Sequence, residues 1–383
     1  MIPDDTTEQA ARPPETTRAK RRRALVVLIA LATVVIVALA LVGIVKHFSG
    51  RDQGPPFTGA VSKPGGGRAY RATAWNRGAS APIDAAVAAQ ALDEVDFDWY
   101  LAQSDGSIVP EHEDLDLVRR TRERGLQAFA TVVNRPVKGA FSGDVAAAIL
   151  ATPDSRRRHV AALVRLAVDK GYDGIDIDWE EVPPAERDHF SEFIEELAAA
   201  LHDKQRLLSI AVFPKTSEPG QWDLQKPYDY ARLGAAVDEF KIMTYSFSGP
   251  WGEPGPQMPL DWAGEVLTFA AGLVPPEKTY LGLPFYGFDW HGEATTAVHS
   301  DDVRALRARY HPQVRRDAAS NEALVSFYDE NGLEHIVYFQ DRAAIAAKLK
   351  LLRTAHPDLA GVAAWELLDE DPGFWTTIAK GLR

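Results

Sequence analysis

The 383-residue chain contains no cysteine, and this absence excludes whole classes of structure. Without thiols it can form neither a disulfide framework nor a thiolate metal site. Positive charge is also scarce, because 42 Lys and Arg face 54 Asp and Glu and give a formal net charge of -12. A chain this acidic is a poor partner for a phosphate backbone, so we expect no binding to nucleic acid.

One long apolar run stands out near the N-terminus. Residues 24–45 contain no charged side chain, and a helix of that length matches the ~30 Å hydrocarbon core of a bilayer. Basic residues 20–23 directly precede the run, and the positive-inside rule then places the N-terminus in the cytoplasm. We therefore expect a single-pass anchor in the cell membrane, with the later residues extracytoplasmic. The alternative is a cleaved signal peptide, whose apolar region is normally about 7–15 residues long.

The apolar run divides the chain into four predicted parts. Residues 1–23 form a basic cytoplasmic tail and residues 24–45 the transmembrane anchor. Residues 46–67 are rich in Gly, Pro and Ser, which is typical of a flexible linker. Residues 68–383 alternate short apolar runs with amphipathic stretches, the pattern of a parallel βα domain. Nothing in the sequence requires more than a monomer.

Eight short apolar runs in this last part are predicted to be strands. Eight strands alternating with helices indicate an α/β fold of the (β/α)8 TIM barrel type. A long gap between the seventh and eighth strands predicts a small α+β insertion at about residues 288–340, with a hairpin that turns near Asn331-Gly332. The predicted strands are Tyr70–Trp75, Phe97–Ala102, Gln127–Val133, Gly174–Trp179, Leu207–Phe213, Phe240–Tyr245, Thr279–Phe285 and Gly361–Trp365.

The fourth predicted strand contains an unusual density of acids, because residues 173–181 read DGIDIDWEE. Side chains alternate faces along a strand, so Asp176, Asp178 and Glu180 share one face and the intervening Ile and Trp residues the other. The C-terminal end of a barrel strand is where this fold places its catalytic groups. Crowded like charges keep at least one acid protonated near neutral pH, which is what a general acid requires.

Two other interpretations of this segment are open from the residues alone. A solvated acidic loop would not need an apolar residue at every second position. An Asp-x-Asp pattern also suits a magnesium or calcium site. The metal interpretation lacks partners, since we find no second acidic or His-rich cluster of comparable order in the sequence.

The segment DGIDIDWE resembles the DxxDxDxE signature of glycoside hydrolase family 18, the chitinase-like (β/α)8 barrels. Three further segments resemble family motifs and fall on strands six, seven and eight: Met243-Thr244-Tyr245, residues 282–287 (GLPFYG) and residues 361–365 (GVAAW). The resemblance covers roughly residues 68–375 and is greatest to the bacterial branch that contains spore-cortex peptidoglycan hydrolases.

This resemblance implies a catalytic role for four residues. Glu180 would protonate the glycosidic oxygen while the 2-acetamido carbonyl of the substrate attacks the anomeric carbon, the substrate-assisted route of the family. Asp178 would stabilise the oxazolinium intermediate, and Asp176 would share a proton with Asp178. Tyr245 would donate a hydrogen bond to the acetamido oxygen.

The resemblance also suggests residues that bind the sugar. Trp365 would form the hydrophobic floor beneath it, and Tyr286 would contact it at the rim. Trp251 lies in a Gly/Pro-rich loop that should hold its ring near the mouth of the barrel, and Met243 and Asp173 complete the predicted set. Other tryptophans at predicted strand ends or loops are weaker candidates: Trp99, Trp222 and Trp290.

Two positions depart from the family pattern. Ser246 follows the Met-Thr-Tyr motif where many members have Asp, which removes a carboxylate from the site. The third strand ends in Thr131-Val-Val-Asn134 in place of the SxGG of many chitinases, so chitin is not the default substrate.

The expected function is therefore a membrane-anchored glycoside hydrolase acting on β-linked N-acetylglucosamine-containing polysaccharide, with peptidoglycan ahead of chitin or an exopolysaccharide. We expect no cofactor and no metal. The sequence leaves endo or exo action open. A non-catalytic glycan-binding barrel of lectin type is the main alternative, and a metal-dependent hydrolase is a third.

Overall fold

The structure is a computed structural model, and it describes residues 58–78 and 80–383. No helix in these two ranges has the length and apolarity needed to span a bilayer. The predicted cytoplasmic tail, residues 1–23, and the predicted anchor, residues 24–45, lie outside the described residues. Their placement stays a prediction.

Eight parallel strands of the described chain close into a barrel, in the order β1-β14-β8-β7-β6-β5-β4-β2, with β2 pairing back to β1. All eight predicted strands are present, and their ends differ from the prediction by up to three residues. A short β3, Ile108–Pro110, pairs antiparallel to the end of β2. The barrel strands are β1 Arg71–Asn76, β2 Glu94–Ala102, β4 Gln127–Val133, β5 Gly174–Asp178, β6 Leu207–Val212, β7 Glu239–Ile242, β8 Thr279–Pro284 and β14 Gly361–Leu367.

Helices follow the strands and pack on the outside of the barrel. The helix after β4 shows how the sequence sets their ends: Thr152 caps it by accepting a hydrogen bond from the Ser155 amide, Pro153 is its first residue, and Gly171 ends it at a φ of 77°. The α-helices of the described chain are α1 Ala81–Ala88, α2 Leu115–Glu123, α3 Gly143–Leu150, α4 Pro153–Lys170, α5 Arg187–His202, α6 Tyr230–Ala236, α7 Leu260–Ala271, α8 Ser300–Tyr310, α9 Arg342–Ala355 and α10 Gly373–Gly381.

A second sheet lies between β8 and β14 in the sequence, where the insertion is predicted. Its strand order is β10-β9-β13-β12-β11, and β12 and β13 form the predicted hairpin. Helix α8 packs against this sheet through Val303. The strands are β9 Gly287–His291, β10 Ala294–Val298, β11 Arg315–Arg316, β12 Ala323–Tyr328 and β13 Glu334–Phe339.

The main apolar core fills the space between the barrel strands and their helices. Trp179, just beyond β5, is fully buried there and stacks on Phe193 of α5 at 4.9 Å between ring centroids. Burying one such aromatic side chain stabilises a fold by about 1.5–3 kcal/mol. This layer therefore fixes the apolar face of β5, and the opposite face of the strand points into the barrel.

Part of the predicted linker lies against the barrel. The Ser62 amide donates to Gln127 Oε1 at 2.8 Å, and Gln127 Nε2 donates to the Ala60 carbonyl at 3.0 Å. The Gly65 amide donates to Asp93 Oδ1 at 2.7 Å. These bonds attach residues 60–65 to strand ends at the N-terminal side of the barrel.

Candidate active site

Asp176 and Asp178 of β5 line the barrel interior together with Glu180, which lies two residues beyond the strand end, as the sequence predicts. These three acids are called here the β5 ladder. Asp176 is fully buried and Asp178 is 5% exposed, whereas Glu180, just beyond the strand end, is partly exposed. Strand alternation places all three on one face, and the acids rise from the barrel interior to its mouth. Only the outermost acid therefore has appreciable contact with solvent.

Asp176 at the base of the ladder is held by neutral donors. Trp75 Nε1 donates to its Oδ2 at 2.8 Å, Thr131 Oγ1 donates to the same oxygen at 3.0 Å, and Ser209 Oγ donates to Oδ1 at 2.6 Å. Lys241 Nζ lies 3.8 Å from Oδ1. Both carboxylate oxygens are thus hydrogen-bonded, which suits a charge in the barrel interior.

Asp178 in the middle of the ladder has a different environment. Its Oδ1 is buried and accepts no hydrogen bond from any described residue. Burial, followed by the carboxylates of Glu180, Asp176 and Asp98, raises the pKa of Asp178 well above its usual range. A buried acid with a free oxygen and a raised pKa can hold a proton and also bind a polar group of a ligand.

Glu180 at the mouth is the group best suited to give up a proton. Burial, followed by the neighbouring carboxylates of Glu181 and Asp98, raises the pKa of Glu180 to about 7. A general acid works best when its pKa lies near the operating pH. The prediction of Glu180 as proton donor therefore agrees with its position and its electrostatic surroundings.

The backbone around Glu180 is fixed by two side chains. Asn134 Oδ1 accepts from the Glu180 amide at 2.9 Å, and Asn134 Nδ2 donates to the Glu180 carbonyl at 2.6 Å. The Tyr228 hydroxyl donates to the Trp179 carbonyl at 2.5 Å. Asn134 directly follows β4 and holds the Glu180 peptide through both its N–H and its carbonyl.

Tyr245 and Met243 lie beyond the end of β7, beside the ladder. Both are 8% exposed and belong to one cluster with Trp75. Tyr286 meets Tyr245 edge to face at 6.2 Å between ring centroids, and its hydroxyl lies 2.6 Å from Ser246 Oγ. The serine that replaces the usual Asp thus forms a hydrogen bond with Tyr286.

Trp365 at the end of β14 is partly exposed, as a sugar floor requires. Its ring meets the ring of buried Trp75 edge to face at 5.8 Å. Trp75 also donates the hydrogen bond to Asp176 described above. The structure therefore joins the predicted floor to the base of the ladder through a single indole.

The remaining predicted aromatic residues divide into exposed and buried groups. Trp251 is 68% exposed and Trp222 is 67% exposed, both in loops at the mouth. Trp99 is fully buried and Trp290 is 7% exposed, so these two rings pack inside the protein. Trp290 Nε1 donates to the Gly252 carbonyl at 3.2 Å and thereby supports the loop that contains Trp251.

The structure does not bring Asp173 to this site. Asp173 precedes β5 at its N-terminal end, roughly 16 Å along the strand from Asp178 at 3.3 Å per residue. Its Oδ2 accepts from Arg122 Nε and from the Ala128 amide, both at 3.0 Å. This position does not fit the predicted contact with substrate, because the carboxylate is an ion-pair partner at the opposite end of the barrel.

A second row of acids faces the barrel interior from β2, and is called here the β2 ladder (Glu94, Asp96, Asp98). The expectation that the chain has no second acidic cluster of comparable order is therefore wrong. Lys241 Nζ donates to Asp96 at 2.8 Å and to Glu94 at 2.9 Å, and Arg71 also donates to Glu94 at 2.9 Å. The alternation of acidic and apolar residues in the segment EVDFD, residues 94–98, could have revealed this row from the sequence. Among the described residues these acids belong to no group of metal-ligating side chains, and the cationic partners of Glu94 and Asp96 are Lys241 and Arg71.

Two further acids at the mouth were not predicted from the sequence: Asp98 at the outer end of the β2 ladder and Glu366 of β14. Asp98 Oδ2 lies 3.5 Å from Arg77 Nε, and burial raises the pKa of Asp98 to about 6 despite this arginine. Glu366, directly after Trp365, is 7% exposed, and burial raises its pKa to about 7. The mouth therefore contains several acids that titrate near neutral pH.

Comparisons with known proteins agree with this geometry. The model of "Glycosyl hydrolases family 18" matches residues 139–371. The uncharacterized glycosylase YvbX of Bacillus subtilis is 26% identical over 76% of this chain and 85% of its own length. The cortical fragment-lytic enzyme of Bacillus anthracis is 27% identical to this chain, and the matched region covers 65% of this chain and 59% of that enzyme.

A solved structure is similar over nearly the whole described region. The crystal structure of a chitinase from Chromobacterium violaceum has a TM-score of 0.76 and is 30% identical, covering 82% of this chain and 99% of the chitinase chain. The residues that the family model matches include the β5 ladder and all barrel strands from β5 to β14. The chain belongs to glycosyl hydrolases family 18, among the relatives of chitinases and spore-cortex-lytic enzymes, and is a glycosidase.

Proposed function

We propose that this glycosidase is anchored in the membrane and cleaves β-linked N-acetylglucosamine-containing polysaccharide with retention of the anomeric configuration. The observation that supports this most is the outer end of the β5 ladder. Glu180 is partly exposed with a pKa of about 7, and Asp178 lies behind it with a free buried oxygen. This is a proton donor beside an acceptor for a substrate N–H.

In the first step Glu180 transfers its proton to the glycosidic oxygen as the bond from that oxygen to the anomeric carbon breaks. The acetamido carbonyl oxygen of the same sugar forms a new bond to the anomeric carbon, and the product is an oxazolinium ion. Asp178 Oδ1 accepts the acetamido N–H and stabilises the positive charge. Tyr245 donates to the acetamido oxygen and aligns it for attack.

In the second step the ionised Glu180 removes a proton from a water molecule. The water oxygen bonds to the anomeric carbon, the oxazolinium bond breaks, and Glu180 is again protonated. Two displacements at one carbon return the original β configuration.

The burial of the two aspartates supports a nucleophile from the substrate. Asp176 is fully buried and accepts three hydrogen bonds, and Asp178 is 5% exposed. An enzyme nucleophile needs a carboxylate open to the anomeric carbon. Asp176 offers no such surface, and Asp178 turns toward Glu180 to accept the acetamido N–H, so the acetamido group of the substrate supplies the attacking oxygen.

Peptidoglycan is the proposed substrate ahead of chitin or an exopolysaccharide. The proposal draws on the similarity to a cortical fragment-lytic enzyme and on Asn134 in place of a chitinase-type strand end. Digestion of purified peptidoglycan and of chitin side by side, with mass analysis of the products, tests it. Faster release from peptidoglycan is expected. Release from chitin alone would contradict the preference, and binding to both without products would favour a lectin.

The configuration of the first product tests the route. Proton NMR during hydrolysis of an N-acetylglucosamine oligomer is expected to show the β anomer first, with the α anomer appearing only by mutarotation. An oligomer with glucosamine at the cleaved position is the matched control, because it lacks the carbonyl that attacks. It should not be cleaved. An α anomer as first product, or equal cleavage of the control, would exclude the substrate-assisted route.

The anchor is a separate part of the proposal and rests on the apolar run at residues 24–45. The full chain should remain with membranes after an alkaline wash, and protease added outside intact cells should digest the barrel. A variant with Leu31→Arg and Val35→Arg in the run should lose membrane retention. Recovery of the parent chain in the soluble fraction would contradict anchoring and leave the catalytic proposal intact.

A further inference from the structure

The inserted sheet contains a cluster of metal-ligating side chains outside the active site. Asp289 and His291 lie on β9, and His335 lies on β13 directly opposite His291 in the strand register. One ligand atom from each of the three residues lies within 4.8 Å of the others. Strand alternation places all three side chains on the same face of the sheet.

The two imidazoles point at one carboxylate. His335 Nδ1 lies 2.8 Å from Asp289 Oδ2, and His291 Nδ1 lies 3.7 Å from the same oxygen. The two rings are stacked with centroids 4.9 Å apart and an interplanar angle of 16°. Both nitrogens thus lie beside the same carboxylate oxygen, and a cation bound there would replace the present contacts, including that of His291 Nδ1 with the Asp289 carbonyl at 3.2 Å.

Among the described residues the carboxylate of Asp289 has no Lys or Arg partner that would explain its burial. Asp289 is 8% exposed, and its Oδ1 is buried and accepts no hydrogen bond from any described residue. The ion pairs that it forms in the described chain are with these two histidines, which are charged only when protonated. Burial of a carboxylate is costly without a cationic partner, and a divalent ion would supply one.

The rings around the cluster hold the imidazoles in place. Phe327 of β12 stacks on His335 with ring centroids 4.7 Å apart, and Tyr310 of α8 stacks on Phe327 at 4.4 Å. His291, His335, Phe327 and Tyr310 thus form one continuous column of rings. Such packing reduces the rotamer freedom that metal binding would otherwise have to remove.

The donor set selects the class of ion. Imidazole nitrogen with one carboxylate suits zinc and neighbouring transition metals, whereas magnesium and calcium prefer oxygen ligands. Two histidines and one carboxylate leave a fourth tetrahedral position, and the His291 side chain is 24% exposed, so water can complete it. Zinc sites of this kind have ligand distances of about 2.0–2.2 Å.

We propose that Asp289, His291 and His335 form a zinc-type site that joins β9 to β13. The opposite faces of these strands hold Phe288, Trp290 and Tyr338, whose rings are in contact. Because Trp290 also supports the loop that contains Trp251, the ion would stabilise the wall beside the mouth of the barrel. The site has no part in the proton transfer assigned to Glu180.

Metal titration of the chelator-treated full chain tests this inference. The parent is expected to bind one equivalent of Zn2+ and to show the visible absorption of imidazole-ligated Co2+, with no competition from excess Mg2+ or Ca2+. His335→Ala and His291→Ala should each weaken Zn2+ binding at least tenfold. His202→Ala is the matched control, because His202 Nε2 pairs with Asp238 at 2.8 Å without a second histidine, and it should bind Zn2+ as the parent does.

A second readout guards against loss of folding. Zn2+ should raise the thermal unfolding temperature of the parent and of His202→Ala but leave that of Asp289→Asn unchanged, since this variant keeps the side-chain shape. Absence of stoichiometric Zn2+ binding to the parent would overturn the proposal. Equal binding by the parent, His335→Ala and Asp289→Asn would overturn it too. Neither readout depends on hydrolysis.

Discussion

The β2 ladder and the β5 ladder have the same alternation of acids and apolar residues, but their surroundings differ. The inner acids of the β2 ladder meet Lys241, whose Nζ lies 2.8 Å from Asp96 and 2.9 Å from Glu94. The outer acids of the β5 ladder, Asp178 and Glu180, form no ion pair with any described residue. Alternating acids on a barrel strand are therefore not in themselves a catalytic signal, whereas acids left without a cation at the mouth are.

The two ladders also cooperate across the barrel. Lys241 approaches Asp176 at 3.8 Å as well as the β2 ladder, so one buried ammonium serves the inner ends of both rows. At the outer end Asp98 raises the pKa of Asp178 and of Glu180. The inner acids contact a buried ammonium, and burial still raises the pKa of Glu94 to about 7, whereas Asp178 and Glu180 have no cationic partner among the described residues; each prediction below changes one of these two conditions.

The largest expected effect comes from removing the outermost acid. Glu180→Gln keeps the size of the side chain but cannot protonate the leaving group, so the rate of hydrolysis should fall by about 10²- to 10⁴-fold. Steady-state kinetics on N-acetylglucosamine oligomers measures this. Glu181→Gln is the control, because Glu181 is exposed and adjacent, and it should retain most activity. Parent-like turnover by Glu180→Gln would remove Glu180 from the mechanism.

Removal of the shared cation should affect stability more than chemistry. Lys241→Met leaves Glu94 and Asp96 buried without their ammonium partner, and breaking such a buried network costs about 3–5 kcal/mol. Urea unfolding at neutral pH measures the free energy of unfolding. Lys226→Met, which removes a more exposed pair with Asp223, should have no measurable effect. Equal stability of Lys241→Met and the parent would show that the β2 ladder is not compensated by this lysine.

The same Glu180→Gln variant should be more stable than the parent in alkaline solution. The pKa of Glu180 is raised from 4.5 to about 7 in the folded chain, so ionisation above that pH opposes folding. The contribution of Glu180 to stability is fully present below pH 4.5 and is lost as the pH rises through 7. At pH 8 the free energy of unfolding of the variant should therefore exceed that of the parent by on the order of 1–3 kcal/mol. If the difference in free energy of unfolding between variant and parent were the same at pH 4 and pH 8, the raised pKa of Glu180 would be contradicted.

The smallest expected effect is a shift in the pH profile. Proton donation requires the protonated form, so kcat/KM should fall as the pH rises through about 7, the pKa of Glu180. Asp98→Asn removes a charge that raises this pKa, and should move the falling limb to lower pH by up to about one unit. Asp289→Asn, in the inserted sheet, should not change the pH at which kcat/KM falls. A shift to higher pH in Asp98→Asn would mean that Asp98 does not act on Glu180 electrostatically.

Patterns among residues that are close in the sequence were sufficient to predict most of the strands and helices. The strand runs, the Thr152 cap and the hairpin at Asn331-Gly332 each depend on residues that are neighbours in the chain, and the structure places strands, helix and hairpin accordingly. The strand ends were less accurate. β7 ends at Ile242, so the Met-Thr-Tyr segment follows the strand instead of lying on it.

Long-range contacts explain what the sequence did not reveal. Lys241 and Glu94 are 147 positions apart, and nothing in either segment shows that an ammonium will neutralise the β2 ladder. Asn134 reaches Glu180 from a neighbouring strand in the same way. Asp173 was assigned to the site by its place in the motif, although a residue before β5 must lie at the far end of the barrel.

The most direct test of this account is the ionisation of Glu180 itself. The infrared difference spectrum between the parent and Glu180→Gln isolates the carboxyl group, and its protonated C=O band can be followed from pH 4 to pH 9. The account predicts that this band persists past pH 6 and disappears with a midpoint of about 7. Disappearance near pH 4.5, the ordinary value for Glu, would contradict the claim that the uncompensated end of the β5 ladder holds the catalytic proton.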